Sequence, residues 1–523
     1  MMKRRDFLRN TVPAGVILPS LVGGFSFRAF SANSSIMQSL LLPVTETDHV
    51  FVIIQLNGGN DGLNMVVPIE NFSNYVNARP NIYIPENKVL QLNGKAGLHP
   101  SMTGLHAMYT NGMLRVIQSV GYPQPSYSHF RATDIWMSAS DSNKVVNSGW
   151  AGRYLNYEYP NFPNGYPNAT MKDPLAIQIG SATSLTVQGP AVSMGMSISS
   201  TSNFYNLING IQDPAPDTPA GKELTYIRTV AEQTQQYGTV IKAAAVQTVQ
   251  QVSYPTNNSL GDQLKIVARL IRGGLQTRIY MVNYGGFDTH SGQVNSTDTA
   301  TGAHARLLQN VSDAIKAFQD DLKFLGVDDR VVGMTFSEFG RRIKSNGSVG
   351  TDHGAAAPLF VFGKNVMGGV LGDTPSIPAN ATVNDNLPFQ YDFRSIYATI
   401  LSNWLCVNEE DLQQIMLKNF QVLPLVNASG CKKPINLSGE LLISNYPNPF
   451  ASSTVITFKT EGGHTLIQII DTMGKVIANL ADKEYTAGTY SVVFESGLLP
   501  PGVYYARLQN MATQQVRSML KMR

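Results

Sequence analysis

The chain has 523 residues, of which 43% are hydrophobic and only 14% are charged, a composition typical of folded proteins with a large core and more than one domain. Its formal net charge is +3, but five basic residues and one acidic residue among the first 28 contribute +4, so the remainder is near −1. This balance gives no electrostatic attraction to nucleic acid, and we expect no such partner.

The first 32 residues have the organisation of an export signal. A basic start, Lys3–Arg9, precedes a short apolar run from Thr11 to Gly24, and small residues lead up to Ala32. The adjacent arginines before Phe-Leu resemble a twin-arginine signal, with an ordinary Sec signal as the alternative. The apolar run is too short to cross a membrane and no later run reaches roughly 18 apolar residues, so we expect no membrane span in the mature chain.

Strand-like and helix-like stretches alternate over residues 45–430, which is typical of a doubly wound, mostly parallel α/β sheet. The predicted strands are nearly continuous apolar runs, as in a sheet buried on both faces: His49–Leu56, Leu114–Val120, Leu175–Ile179, Thr277–Val282, Arg330–Phe336 and Leu359–Phe362. The predicted helices are Ser101–Thr110, His129–Ser138, one that opens at Gly149, two over about 222–252 and 260–274, Gly302–Leu325 and Phe393–Leu405, the last clear element of this domain. The rest of 156–225 is predicted to be loops and an insertion.

Polar residues follow four of these strands, where ligands bind in open α/β sheets. Asp288 and His290 lie in the stretch NYGGFDTHSGQ, directly after a predicted strand. Carboxylates and imidazoles in such a place suit divalent-metal binding or acid–base chemistry. We therefore predict a site for one or two divalent metals, whose candidate ligands are Asp61, Asp288, His290, Glu338, Asp352 and His353.

Ser128 precedes the predicted helix His129–Ser138, where free backbone N–H groups and the helix dipole favour an anion. It is a candidate nucleophile for an anionic ester, with a plain helix N-cap as the alternative. The other residues have structural alternatives too: Asp61 as a turn cap, His129 and His290 as ordinary core or surface histidines, Glu338 and Arg341 as an ion pair, and Asp352 as a residue that orders a glycine loop.

The composition changes after Pro434. Short alternating strands are predicted over Thr454–Phe458, Thr465–Ile470, Lys475–Asn479, Thr489–Phe494 and Gly502–Gln509, with turn residues between them. This pattern predicts a small all-β sandwich over residues 440–523 without a catalytic role. The chain has two cysteines, Cys406 and Cys431, which either form one disulfide outside the cytoplasm or are two unpaired buried thiols.

Five motifs in this order support a family resemblance: Leu56–Asn64, Tyr127–Phe130, Gly286–His290, Ser337–Arg341 and Thr351–Gly354. Residues 45–430 resemble the twin-arginine-exported "domain of unknown function 1501" family. That family resembles the alkaline phosphatase and sulfatase superfamily, whose members hydrolyse phosphate or sulfate esters with bound divalent metals. The resemblance implies an alkaline-phosphatase-like fold, a metal-binding role for Asp61, Asp288, His290 and His353, and Ser128 as the nucleophile.

The chain departs from the superfamily pattern in two places. Ser337-Glu338 stands where an Asp-His pair is usual, which bears on the second metal and on the metal's identity. The sulfatase signature Cys/Ser-x-Pro-x-Arg is absent around Ser128. We include His129 and Arg131 with Ser128 as candidate catalytic residues, because Arg131 is of a type that holds anions through bidentate contacts.

The tail is similar to the C-terminal sorting domain of type IX secretion cargo, on the stretches Asn445–Phe450, Asp471–Val476 and Gly502–Arg507. The resemblances together imply a protein exported through the twin-arginine and type IX machineries to the cell surface or medium. We predict a metal-dependent hydrolase of phosphate- or sulfate-type esters, with zinc, manganese or calcium and a small-molecule or glycan ester as substrate. The alternatives are a non-catalytic surface protein that binds glycan or another anionic ligand, and a purely structural role.

Overall fold

The computed structural model describes residues 47–169, 171–199, 218, 236–248, 250–427, 431, 443–460, 462–471, 475–497, 499–510 and 514–522, with two short strands, Leu21–Val22 and Phe25–Ser26, that pair with each other. The rest of the predicted export signal, residues 1–32, lies outside this range. The chain separates into two compact units. One unit is Thr47–Cys431, and the other comprises Lys432–Arg523 with the first 46 residues.

The strands of the main unit are, in chain order, β1 (Val50–Leu56), β2 (Val66–Val67), β3 (Leu90–Gln91), β4 (Gly97–Leu98), β5 (Leu114–Gly121), β6 (Ala176–Ile179), β7 (Met196–Ile198), β8 (Ile279–Tyr284), β9 (Val331–Phe336), β10 (Arg341–Ser345), β11 (Thr351–His353), β12 (Ala357–Phe362), β13 (Gly369–Leu371) and β14 (Tyr391–Asp392). Nine strands of the described chain form one sheet, in the order β13-β5-β12-β9-β1-β8-β6-β7, with β14 beside β5. The short strands β2, β4 and β3 form a small sheet, and β10 pairs with β11.

The helices are α1 (Gly62–Met65), α2 (Phe72–Ala78), α3 (Thr103–Thr110), α4 (His129–Ser138), α5 (Trp150–Glu158), α6 (residues 236–247), α7 (Ser259–Arg272), α8 (Ala303–Phe324), α9 (Phe393–Thr399) and α10 (Glu409–Met416). Short 3-10 turns cover Ile69–Asn71, Glu86–Lys88, Leu185–Val187 and Asp328–Arg330. Of the helix predicted from about residue 222, only the part from 236 onward is described.

Strand β1 is the middle of the sheet, and no residue in it is more than 5% exposed. Phe51 and Ile53 enter one core with residues of α4, α5 and α9, whereas Val52 and Ile54 enter a second core with residues of α3, α7 and α8. Alternate side chains of a strand point to opposite faces, so burial on both faces explains the continuous apolar run. The predicted doubly wound, mostly parallel α/β fold is confirmed, although β12 runs antiparallel to both of its neighbours.

Three details of the prediction were wrong. The helix predicted over Phe393–Leu405 keeps α-helical geometry only to Thr399 and then widens into a π-helical turn, Ile400–Trp404. It is also not the last element, because α10 follows, with the Asn408 side chain accepting a hydrogen bond from the Asp411 backbone N–H as its N-cap. In the stretch predicted to hold a single strand, β7 adds a second at the sheet edge.

The second unit is all-β, as predicted. Its strands are β15 (Ile443–Tyr446), β16 (Ser453–Thr460), β17 (Gly463–Ile470), β18 (Val476–Tyr485), β19 (Gly488–Glu495), β20 (Gly502–Asn510) and β21 (Gln514–Lys521). They form two antiparallel sheets, in the orders β15-β16-β19 and β18-β17-β20-β21. Alternate residues, such as Ile456 and Phe458 of one sheet and Ile467 and Leu508 of the other, enter one common core.

Cys406 and Cys431 form a disulfide, with their Cα atoms 5.2 Å apart, so the alternative of two unpaired thiols is wrong. The bond spans a sequence separation of 25 residues, which includes α10. It therefore closes the C-terminal segment of the main unit into a covalent loop.

Replacing both cysteines with alanine should lower the free energy of unfolding by about 3 kcal/mol, because a loop of this length then regains its conformational entropy in the unfolded chain. Denaturant titration of the full chain with and without reductant measures the effect. Reductant should destabilise the wild type by a similar amount and leave the double variant unchanged. Equal stability of the two oxidised proteins would contradict the expectation.

Candidate metal centre

Strands β8 and β9 flank β1 and run parallel to it, with Tyr284 beside Leu56 and Phe336 beside Gln55. Their carboxyl ends therefore deliver three loops to one edge of the sheet, as expected for an α/β ligand site. Gly58 lets two of these loops pack closely. Its φ is +121°, and a Cβ there would lie 2.4 Å from the backbone nitrogen of Asp288, so no other residue fits without moving a loop.

Three imidazole rings point their Nε2 atoms at the carboxylate of Asp288. The Nε2 atoms of His290 and His353 lie 3.2 and 3.3 Å from Oδ1, and that of His129 lies 3.5 Å from Oδ2. The Nε2 atoms of His290 and His353 are 2.9 Å apart. Ligand atoms of His129, Asp288 and His353 all lie within 4.8 Å of one another. The structure thus brings together four of the residues that the sequence singled out.

The other ring nitrogen of each histidine is held by an acceptor. His129 Nδ1 lies 2.8 Å from Glu338 Oε1, and His290 Nδ1 lies 3.2 Å from Asp352 Oδ1. His353 Nδ1 lies 2.8 Å from the backbone oxygen of Tyr127, which can only accept. In the neutral rings the proton therefore belongs on Nδ1, and each Nε2 lone pair is aimed at Asp288. Carboxylates and carbonyls orient metal-binding histidines in this way.

This donor set fits a divalent metal ion. Lone pairs of two imidazoles and a carboxylate oxygen repel one another at about 3 Å unless a proton or a cation lies between them. Ligand atoms each about 2.0–2.2 Å from one ion are themselves separated by roughly 3 Å. The distances among Asp288, His290 and His353 match that separation. Asp288 is 45% exposed, so the cluster is open to solvent.

Arg341 is a buried residue that connects Asp288 to the loops around it. Its side chain is 0% exposed, and Nη2 donates to Asp288 Oδ1 at 2.6 Å. The same guanidinium donates to the carbonyls of Gly58, Gly59, Phe287 and Thr351. Burial alone would raise the pKa of Asp288, but hydrogen bonding and charge from Arg341 lower it below the usual range, with a further contribution from His290. Glu338, which the sequence suggested as an ion-pair partner of Arg341, instead accepts a hydrogen bond from the Gly58 N–H.

Asp61 takes a different place from the one its position in the sequence predicted. It is fully buried, and Arg79 Nη1 donates to both of its oxygens, at 2.8 and 2.6 Å. Gln293 Nε2 also donates to Oδ2, at 2.6 Å. Burial would raise the pKa of Asp61, but the charge of Arg79 and these hydrogen bonds lower it. These contacts make Asp61 part of a buried ion pair rather than of the histidine cluster.

Ser128 is the N-cap residue of α4, but its side chain makes no capping hydrogen bond. It is exposed and lies between Tyr127, which contacts His353, and His129. Arg131 does not face the cluster, because its Nη2 donates to the backbone oxygens of residues 141, 142 and 144. The next residue after His129, Phe130, is 87% exposed.

A second polar network, which was not recognised from the sequence, lies around Asp61. His304 Nε2 lies 2.9 Å from Asn60 Oδ1, and the ring of His99 lies edge-on to that of His304. Burial lowers the pKa of His304 to about 4. Burial, with the nearby His304, lowers that of His99 to about 3. Both rings are therefore neutral near pH 7, and this network belongs to the folded core.

The fold and the site together define a mixed α/β protein with a histidine- and carboxylate-rich centre at the sheet edge. Residues 48–412 match the family described as "Protein of unknown function (DUF1501)", and the chain belongs to this family. Residues 444–522 match the "Secretion system C-terminal sorting domain". No curated protein matches the chain.

Solved structures give distant similarities. The PsFucS1 sulfatase from Pseudoalteromonas sp. is 10% identical, with 90% of this chain and 92% of that chain covered and a TM-score of 0.35. An alkaline phosphatase superfamily protein from Vibrio parahaemolyticus is 8% identical, with 92% and 84% covered and a TM-score of 0.28. PorZ, a type IX secretion component of Porphyromonas gingivalis, is 15% identical over 17% of this chain and only 13% of its own, with a TM-score of 0.13.

The sorting domain at the C-terminus implies export by type IX secretion to the cell surface or the extracellular space. In the part of the chain that the structure describes, no helix has the length and apolar character needed to cross a membrane. The predicted localisation is therefore confirmed, and the twin-arginine signal stays a prediction.

The two buried histidines predict that acid destabilises the main unit. In the unfolded chain each binds a proton near pH 6.5, whereas the folded chain keeps both neutral down to about pH 4 or lower. Protons therefore favour unfolding as pH falls from 6.5 to 4, by on the order of 3 kcal/mol for each histidine. His304→Gln, whose amide can still donate to Asn60, should flatten this part of the curve, as measured by denaturant titration. An unchanged slope would show that the histidine is not responsible.

Proposed function

We propose that this protein is an exported, metal-dependent hydrolase of phosphate- or sulfate-type esters. The observation that carries the proposal is the convergence of three Nε2 atoms, from His129, His290 and His353, on the carboxylate of Asp288. With neutral rings this arrangement opposes lone pairs at a solvent-open edge, and a bound cation would relieve that repulsion.

In this proposal His129, Asp288, His290 and His353 hold the ion. Glu338 and Asp352 orient two of the rings through their Nδ1 atoms, so they act as supports rather than as ligands. Three nitrogens and one carboxylate suit zinc or manganese, whereas calcium takes oxygen ligands. Asp61 is not a ligand here, since Arg79 and Gln293 already occupy both of its oxygens.

Ser128 is the proposed nucleophile. Its hydroxyl is free of any capping role and stands at the N-terminus of a ten-residue helix, where unpaired N–H groups attract an anionic ester. A bound divalent ion would supply Lewis-acid stabilisation of the ester oxygens. Ser128 Oγ would bond to phosphorus or sulfur as the alcohol leaves with the serine proton, and water would then release the acid and restore the hydroxyl.

One observation favours a rival. Arg131, which the sequence assigned to anion binding, is engaged by three backbone oxygens. Without an arginine that holds the anion for reaction, the same cluster would suit a surface protein that binds glycan or another anionic ligand and does not hydrolyse it. Loss of the Ser128 hydroxyl would leave such binding intact, and this separates the two candidates.

The sorting tail provides for type IX export, and the predicted twin-arginine signal would carry the chain across the inner membrane already folded. A metal bound in the cytoplasm would then travel with the protein. Small-molecule or glycan esters that reach the cell surface are the substrates that we propose.

Alanine in place of His129, Asp288, His290 or His353 should lower the metal content of the purified full chain at least tenfold and abolish ester hydrolysis, because each removes a ligand. Elemental analysis of protein prepared without added metal or chelator measures the content. His106→Ala is the matched control, since the Nε2 atom of that ring lies 2.8 Å from the backbone oxygen of Gln91 and the residue belongs to α3 rather than to the cluster. Full metal content in the Asp288 and His290 variants would refute the site.

Ser128→Ala should keep the metal content and lose at least a thousandfold in kcat with aryl phosphate and aryl sulfate esters. The change is mild for the fold, because the hydroxyl caps nothing. Undiminished turnover would exclude Ser128 as nucleophile, and binding without turnover in the wild type would favour the rival.

A further inference from the structure

Two of the four carboxylates of the sequence-predicted site, Asp61 and Asp288, are each paired with a buried arginine. Asp61 and Arg79, with side chains 0% exposed, form one ion pair at 2.6 Å. Asp288 forms the other, with the equally buried Arg341. Neither guanidinium can leave, because Arg79 also donates to the oxygens of Ile343 and Arg342, and Arg341 donates to four carbonyls.

These pairs restrict how many ions the site can hold. A second dication near Asp61 would have to displace Arg79, and one beside the inner oxygen of Asp288 would meet the fixed charge of Arg341. Glu338 is no substitute, since its Oε1 already accepts from the Gly58 N–H and faces His129 Nδ1. Asp352 Oδ1 likewise faces His290 Nδ1 and accepts from Asn346 Nδ2. Asp288 and the three Nε2 atoms remain, which is one ligand set.

The charge of the cluster leads to the same number. Asp288, Glu338 and Asp352 contribute three negative charges and Arg341 one positive charge, which leaves −2 while the histidines are neutral. One divalent ion brings the cluster to zero, whereas two would leave it at +2 in a partly buried place.

We propose that the centre holds a single divalent ion and that Arg341 takes the place of a second one, so that the site prefers singly charged esters. This inference rests on the proposed function. A neutral centre with its guanidinium turned away from solvent has no spare positive charge for a doubly charged phosphate monoester. A phosphate diester or sulfate ester, with one negative charge, is the matching substrate class.

The test counts ions and compares substrates on the full chain, purified without chelator and titrated with zinc and with manganese. We expect one equivalent at saturation in the wild type. Asp61→Asn should keep that one equivalent, and circular dichroism checks that it is folded. Because the wild-type count alone decides the number, an unfolded Asp61 variant does not weaken the test. Two equivalents, or loss of one of them in Asp61→Asn, would overturn the inference while the proposed hydrolase remains.

For the charge preference, bis(4-nitrophenyl) phosphate and 4-nitrophenyl sulfate are compared with 4-nitrophenyl phosphate. At a pH where the monoester is doubly charged, kcat/KM for at least one singly charged ester should be tenfold or more higher. Faster hydrolysis of the monoester would overturn the preference. One bound ion with no hydrolysis of any of the three would remove the proposed function and the preference but keep the ion count. No bound ion would remove both proposals.

Discussion

The site depends on the hydrogen bonds that the buried guanidinium of Arg341 donates. A guanidinium without water needs acceptors for its N–H groups, and the irregular loops after β1 and β8 have carbonyls that no sheet ladder satisfies. The guanidinium and the loop carbonyls satisfy each other, since the carbonyls of Gly58, Gly59 and Phe287 accept hydrogen bonds from this one side chain. These hydrogen bonds hold the loop after β1 against the loop after β8, which carries Asp288 and His290.

The two carboxylate–arginine pairs differ in one respect that decides their roles. Asp61 is sealed, with both oxygens occupied and no exposed surface. Asp288 gives only one oxygen to its arginine and is 45% exposed, so its outer side faces imidazoles and solvent. Similar chemistry therefore serves the core in one place and a candidate centre in the other, according to which side of the loop each residue faces.

Much of the fold could be predicted from the sequence, because strands that are buried on both faces are continuous apolar runs. The central strand was predicted to within one residue and α4 at its observed limits, and Asp288, His290 and His353 were singled out from their positions after strands. The partners could not be predicted. Arg79 lies 18 residues beyond Asp61 without any motif, and Gln293 lies on another loop, so only the folded chain reveals that Asp61 is neutralised. Arg131 was predicted to bind an anion, because the sequence does not show that loop carbonyls of residues 141, 142 and 144 accept its hydrogen bonds.

The disulfide near the end of the main unit has a mechanical meaning. Cys431 is the last residue of the main unit, so any force applied through the following chain acts first on Cys431. The bond transmits that force to Cys406 and bypasses the residues between the two cysteines, which include α10. Trp404, two residues earlier, stacks on His49 and donates from Nε1 to the oxygen of Val50, where the central strand begins. Tension applied through the sorting domain would therefore reach the central strand of the sheet before it could unfold α10.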